Sequence, residues 1–354
     1  MMTTALDVYL GTYTHNSPAE GIYHATFNLK TGKLSDADLA CVTPNPTFIE
    51  IHPNTKFLYA VSERDPGAVS AFVIEPGTKK LRLLNKSATK GKGPCHLCIS
   101  RDGRILLVAN YHSGSVASIP INKDGTLAEA ASFIQHTGSS VNPERQHEPH
   151  VHSVNLSPDN RFAYVADLGI DKIMIYQLDA KSSRLLPSNP TEIKIKPGAG
   201  PRHLSFSPNG KYVYLINELD GTVVVFIHNV KSGNLTEIQT ISTLPEGFTG
   251  FSTCAEVRVH PGGKFLYGSN RGHNSIVIYK IDSEKGTLTL LGFQDYGIKN
   301  PRNFNIEPTG QFCLVANQDA NTVLVFNINQ KTGMLERTDQ AIKIGSPVCV
   351  RFLL

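Results

Sequence analysis

The residues best equipped for chemistry in this chain are histidines, arginines and a glutamate that stand beside short β-like segments. EPHVHSVNLSPDN carries His150 and His152 one residue apart, just ahead of a turn. GPRHLSFSPNG carries Arg202 beside His203, YLINELDG carries Glu218, and GSNRGHNS carries Arg271. An imidazole moves protons near neutral pH. Guanidinium groups hold anions or stabilise charge that develops on a carbonyl oxygen. A carboxylate orients a histidine or a water. Together these groups suit catalysis or contact with a substrate. Residues i and i+2 of a strand share a face, so His150 and His152 also have the spacing of a metal clamp, with His136 and His147 close in sequence. No Asp, Glu or Cys completes that set at a fitting spacing, so neither a metal nor a cofactor is expected.

These residues sit in repeated units. Six segments share one plan: NPTFIEIHPNTKFLYAVSE, GPCHLCISRDGRILLVANY, EPHVHSVNLSPDNRFAYVADL, GPRHLSFSPNGKYVYLINE, CAEVRVHPGGKFLYGSNR and NPRNFNIEPTGQFCLVANQ. Each holds a short alternating stretch, a PNG-, PDN- or PGG-like turn and a second apolar stretch. A third β-rich run such as GTVVVFIHN and a weaker fourth, such as SGNLTEIQTIS, follow. Four strands every ~46 to 57 residues is the pattern of a β-propeller. DVYLGTYT, GIYHATFNL and the stretch from Leu34 to Pro44 match strands two to four of a further unit, and SPVCVRFLL matches its first strand. Pairing the termini predicts a closed ring of seven blades over residues 1–354, an all-β single domain with no exposed sheet edge. No substantial helix is expected.

Register places the chemistry on one rim, because the start of a first strand and the end of the antiparallel second strand lie together. The second strands end on Thr12, Ser62, Asn110, Asp167, Asn217, Asn270 and Asn317. Small polar residues there serve the turn. The next position varies: Tyr13, Glu63, Tyr111, Leu168, Glu218, Arg271 and Gln318. Variation within an otherwise uniform repeat marks that position as ligand-facing, with Glu63, Tyr111 and Gln318 as substrate contacts. Along the first strands His152 aligns with Arg202 and Arg302, while the segment from Pro149 to Pro158 is two residues longer than that from Pro201 to Pro208, which places His150 in an insertion at the rim. The irregular connections 131–148 and 240–253 open on the same rim.

Bulk properties narrow the partners. A net charge of +4 without a basic cluster argues against nucleic acid, and no apolar run is long enough to cross a bilayer. MMTTALDVYLGTY has no basic start followed by an apolar stretch, and the six cysteines read as reduced thiols, so a cytoplasmic protein is expected. Cys95 and Cys98 form one CxxC without a second pair, a weak signal for zinc. A small molecule is the expected partner, and the chain is expected to be a monomer or weak homo-oligomer.

The combination of EPHVHSVNLSPD, GAGPRHLSFSPNG, YLINELDGTVVVF and LPEGFTGFSTCAEVRVHPGGKFLYGSNRGHNSI resembles the propeller-type 6-phosphogluconolactonases, relatives of the carboxy-cis,cis-muconate cyclases, over essentially the whole length. The resemblance implies a site built from His152, Arg202, Glu218 and Arg271, and hydrolysis of a sugar-phosphate lactone in the pentose phosphate pathway. In that reading His152 is the general base and Glu218 its orienting partner. Arg202 holds the carbonyl oxygen, while Arg271 with His203 and Arg302 grips the phosphate. A lactonizing cyclase and a non-catalytic interaction platform are the alternatives.

Overall fold

Each repeat folds as its hairpin grammar requires. In the computed structural model, which describes residues 5–354, seven four-stranded antiparallel sheets account for the strands. Naming the strands A to D from the ring axis outward, blade 2 consists of Ile49–Ile51, Phe57–Ser62, Ala68–Ile74 and Leu81–Ala88. The A strands of blades 3 to 7 are Pro94–Ile99, Val151–Leu156, Pro201–Phe206, Thr253–Val259 and Pro301–Ile306. Their B strands are Ile105–Asn110, Phe162–Asp167, Tyr212–Asn217, Phe265–Arg271 and Phe312–Asn317. Blade 1 joins the two ends of the chain. Pro347–Leu353 is its A strand and pairs with Ala5–Thr12, Asp7 opposite Leu353 and Gly11 opposite Cys349. Gly21–Asn28 and Asp38–Val42 complete it. Each A strand touches the next, and Pro347–Leu353 touches both Pro301–Ile306 and Ile49–Ile51. The ring is closed.

The core lies between blades. B strands such as ILLVAN and YVYLIN are buried at every residue, because neighbouring blades cover both faces. That explains why they read as continuous apolar runs while the outer D strands alternate. Five B strands carry a fully buried tyrosine, the third residue in four of them and the fifth of the longer Ala5–Thr12: Tyr9, Tyr59, Tyr164, Tyr214 and Tyr267. Each hydroxyl donates to a backbone carbonyl in the C–D turn of the next blade, on Lys79, Gly125, Gly233, Gly286 and Gly333 respectively. These bonds staple adjacent blades at the rim opposite the A-strand starts. Among the described residues the one helical element, the 3-10 turn Leu168–Ile170, is capped by Asp167, whose Oδ1 accepts from Gly169 N.

Candidate active site at the mouth of the ring

The backbone shapes the site before any side chain acts. In blade 4, Val151 pairs with Asp167 and Ser153 with Ala166, so His152 is an extra residue in the ladder. The same shift isolates Cys95 between Pro94 and His96, Arg202 between Pro201 and His203, and Arg302 between Pro301 and Asn303. A β-bulge re-aims its extra side chain. In these four blades that side chain lines the cavity at the mouth or the recess beneath it, which is why His152, Arg202 and Arg302 align in the sequence. The residue before the bulged strand's proline takes positive φ, +57° at Gly93, +70° at Gly200 and +48° at Asn300. Its carbonyl accepts from the residue that ends the B strand's reach, as Glu218 N donates to Gly200 O at 2.7 Å and Tyr111 N to Gly93 O at 2.9 Å. A Cβ on Gly200 would stand 2.6 Å from Leu219, so glycine is needed there for space as well as for φ.

Glu218 is the electrostatic centre. Its Oε2 accepts from Arg202 Nε at 2.8 Å and lies 3.0 Å from Arg271 Nη2, while Oε1 accepts from Arg145 Nη2 at 2.7 Å. Burial pushes its carboxyl up, but Arg271, Arg202 and Arg145 outweigh burial and hold it well below the ordinary carboxylate range. His152 Nε2 stands 3.7 Å from Glu218 Oε2, and its Nδ1 faces the Cys95 thiol. Burial, reinforced by Arg202, His203 and Arg302, holds His152 well below the usual histidine value, so the ring is neutral at pH 7. At 3.7 Å the neutral ring and the carboxylate are in contact without forming an ion pair. Arg202 donates through Nη1 to Ala255 O at 2.6 Å, and Arg271 through Nη2 to Cys254 O at 2.8 Å. Their orientation is fixed by backbone that belongs to blade 6.

An open cavity of about 640 Å³ lies over this cluster, lined by Glu63, Tyr111, Arg145, His152, Glu218, Arg271 and Arg302 among others. A recess of about 20 Å³ continues below it, bounded by Glu63, Cys95, His152, Arg202, His203 and Arg302. That volume accommodates a single water. Arg302 borders both spaces. Its guanidinium lies over the Tyr13 ring, 5.4 Å from the centroid, and has no hydrogen-bond or ion-pair partner among the described residues. Glu63, opposite, accepts from Tyr13 OH at 3.0 Å and from Thr47 Oγ1.

The four residues His152, Arg202, Glu218 and Arg271 thus converge, and Glu63, Tyr111 and Arg302 line the same space. His203 meets only the recess and bonds Glu256 through Nδ1 at 3.2 Å, so it does not reach the open cavity. Gln318 lies outside both linings. His150 also stays outside the cavity, since its ring stacks on Tyr111 with centroids 4.6 Å apart. It occupies no insertion: Val151 holds the register of Pro201, which puts His150 in the place of Gly200. Because His152 is bulged, the two histidines also part company: His150 clusters with His147 and Glu148, and His152 does not. Cys95 and Cys98 diverge too, Cys95 to the cavity and Cys98 to a groove on the other side. The B-strand-ending residues serve the turn as expected; Asn217 Nδ2, for example, donates to Thr222 Oγ1 at 2.9 Å. Sequence reasoning missed Arg145. The 131–148 connection that carries it was legible as a binding-face loop, but no local pattern marks which of its residues turns inward.

A family model described as a seven-bladed β-propeller lactonase matches residues 7–352. The chain belongs to that lactonase family. This lactonase-family propeller is 34% identical to the 6-phosphogluconolactonase of Bacillus subtilis, over 98% of its own length and 97% of the relative. It is similar to a crystal structure from Bacteroides fragilis described as a candidate 6-phosphogluconolactonase, with TM-score 0.92, 37% identity and 99% of both chains covered. The periplasmic gluconolactonase of Pseudomonas aeruginosa superposes with TM-score 0.93 at 33% identity, again over 99% of both chains.

Proposed function

We propose that this chain hydrolyses 6-phospho-D-glucono-1,5-lactone to 6-phosphogluconate. The observation that carries the reading is a neutral, buried His152 at the junction of a water-sized recess and an open cavity, with charge-stabilising arginines on either side. In this scheme a water in the recess gives its proton to His152 as its oxygen attacks the lactone carbonyl carbon. Arg202 and the unpartnered Arg302 face the oxygen that gains charge, where one fixed donor contributes about 3–4 kcal/mol to the transition state. His152 then returns the proton to the ring oxygen as it leaves, so no net proton remains on the protein. Glu218, kept ionised by three arginines, stabilises the transient imidazolium and fixes the arginines in place. Arg271 and the exposed Lys299 at the mouth supply cations for the phosphate.

The relatives named 6-phosphogluconolactonase support the phosphorylated substrate. The Pseudomonas neighbour named as a gluconolactonase favours a second reading, the unphosphorylated lactone. Initial rates on the two lactones separate them. At least tenfold higher kcat/KM on the phosphorylated compound is expected, with Lys299→Ala eroding that preference through KM. Equal rates would transfer the assignment to the plain lactone, and hydrolysis of neither would overturn both.

A further inference from the structure

We propose that His147, Glu148 and His150 form a binding site for a zinc-class divalent cation on the flank of the cavity. One ring nitrogen of each histidine and one carboxylate oxygen lie within 4.8 Å of one another. His147 Nε2 and Glu148 Oε1 stand 3.3 Å apart. Ligand atoms at zinc distances of about 2.0–2.2 Å in a tetrahedron are themselves about 3.3–3.5 Å apart, so that pair is already at bridging separation. Two imidazoles and one carboxylate, with a water in the fourth position, suit zinc better than magnesium or calcium, which take oxygen ligands.

A second feature points the same way. His150 Nδ1 lies 3.1 Å from the Tyr111 carbonyl oxygen. A carbonyl only accepts, so Nδ1 carries the proton and Nε2 presents its lone pair. Metal-bound histidines are oriented by this kind of outer hydrogen bond. The backbone that carries the ligands is also held. His150 N donates to Asp167 Oδ1 at 2.8 Å, and His150 O accepts from Leu168 N at 2.9 Å. Gly169 and Gly114 press so closely on this segment that a Cβ would come within 1.9 Å of Glu148 O and 2.3 Å of Pro149 O. Binding therefore needs only the side chains of His147 and Glu148 to adjust, and these are 59% and 54% exposed.

In the sequence, His150 and His152 have the spacing of a clamp, but no carboxylate stands at a fitting spacing and no metal is expected. The bulge at His152 removes that residue, and the adjacent Glu148 takes its place. The consequence reaches the cavity. Arg145, two residues before His147, donates to Glu218 Oε1 at 2.7 Å and to Tyr111 OH at 3.2 Å, and Tyr111 stacks on His150. A cation here would close residues 147–150 into a chelate at the root of the A strand of blade 4, stiffening the end of the connection that holds Arg145 against Glu218.

The test is a titration of metal-stripped full-length protein with Zn²⁺ against a chromophoric chelator. One Zn²⁺ per chain with a micromolar or tighter Kd is expected, and Co²⁺ should give the visible bands of a four-coordinate site. His147→Ala, at an exposed position, should weaken Zn²⁺ binding tenfold or more. Zn²⁺ should slow hydrogen exchange across residues 137–148 in the wild type and leave it unchanged in His147→Ala. Absence of stoichiometric binding, or equal affinity in the variant, would overturn the site.

Discussion

The two rims of the ring are built on the same hairpins and solve opposite problems. On the lower rim, where A turns into B and C into D, the contacts repeat with small change. Ser100 Oγ donates to Asp102 Oδ1 at 2.6 Å, Ser157 Oγ to Asp159 Oδ1 at 2.6 Å and Ser207 Oγ to Asn209 Oδ1 at 2.7 Å. His52 Nε2 meets Gly103 O at 2.8 Å and His260 Nε2 meets Gly310 O at 2.9 Å, each in the next blade. On the upper rim the backbone frame is equally regular, but the side chains it presents vary around the ring and the charges are concentrated and buried. Glu218 alone engages Arg145, Arg202 and Arg271. Buried charge is costly unless closely paired. The lower rim and the inter-blade core supply the rigidity that lets the upper rim hold so much of it.

The comparison breaks most visibly at His152. If the upper rim is catalytic and the lower rim structural, His152→Ala should lower kcat about a hundredfold or more while the chain still folds by circular dichroism. In the wild type, the acid limb of kcat/KM should fall below pH 6.5, because burial and the surrounding arginines disfavour the imidazolium. A variant with wild-type kcat would remove His152 as the base.

How much of this was readable in the chain follows the same division. The lower rim and the blades were legible because hairpin turns and apolar runs repeat, and because the terminal strands Ala5–Thr12 and Pro347–Leu353 each lack what the other supplies. His152, Arg202 and Arg302 were legible as a register, although the reason, a bulge that extrudes one residue per blade, needs coordinates. Arg145 was not legible, since its place depends on how a long loop folds back across the ring. His150 misled for a related reason. Counting from Pro149 to Pro158 suggests an insertion, whereas pairing of Val151 with Asp167 shows that only the proline has moved. Spacing between prolines records the chain, while ladder register records the fold.

Stability against pH sharpens the contrast next. Burial, with Arg202 adding to it, pushes His203 down to about 4 despite its bond to Glu256, from an ordinary value of 6.5. Between those values the unfolded chain takes up a proton that the folded chain refuses. Stability is therefore fully present above pH 6.5 and is lost as pH falls toward 4. His152 acts in the same sense. Urea midpoints measured from pH 7 to 4 should decline in the wild type and decline less in His203→Gln, whose amide cannot take up that proton. Parallel curves would show that the penalty for buried imidazole lies elsewhere.

The smallest effect belongs to the lower rim. Tyr214→Phe removes a buried hydroxyl that donates to Gly286 O at 3.0 Å and leaves that carbonyl without it. The expected cost is about 1–2 kcal/mol in unfolding free energy, with kcat unchanged. The effect should stay small because the staple is repeated rather than unique. Blades 3 and 7 carry Leu107 and Leu314 at the corresponding position, both fully buried, and close against their neighbours without this tyrosine bond. A fall in kcat in Tyr214→Phe comparable to that of His152→Ala would mean that the two rims are coupled, and the division of labour between them would fail.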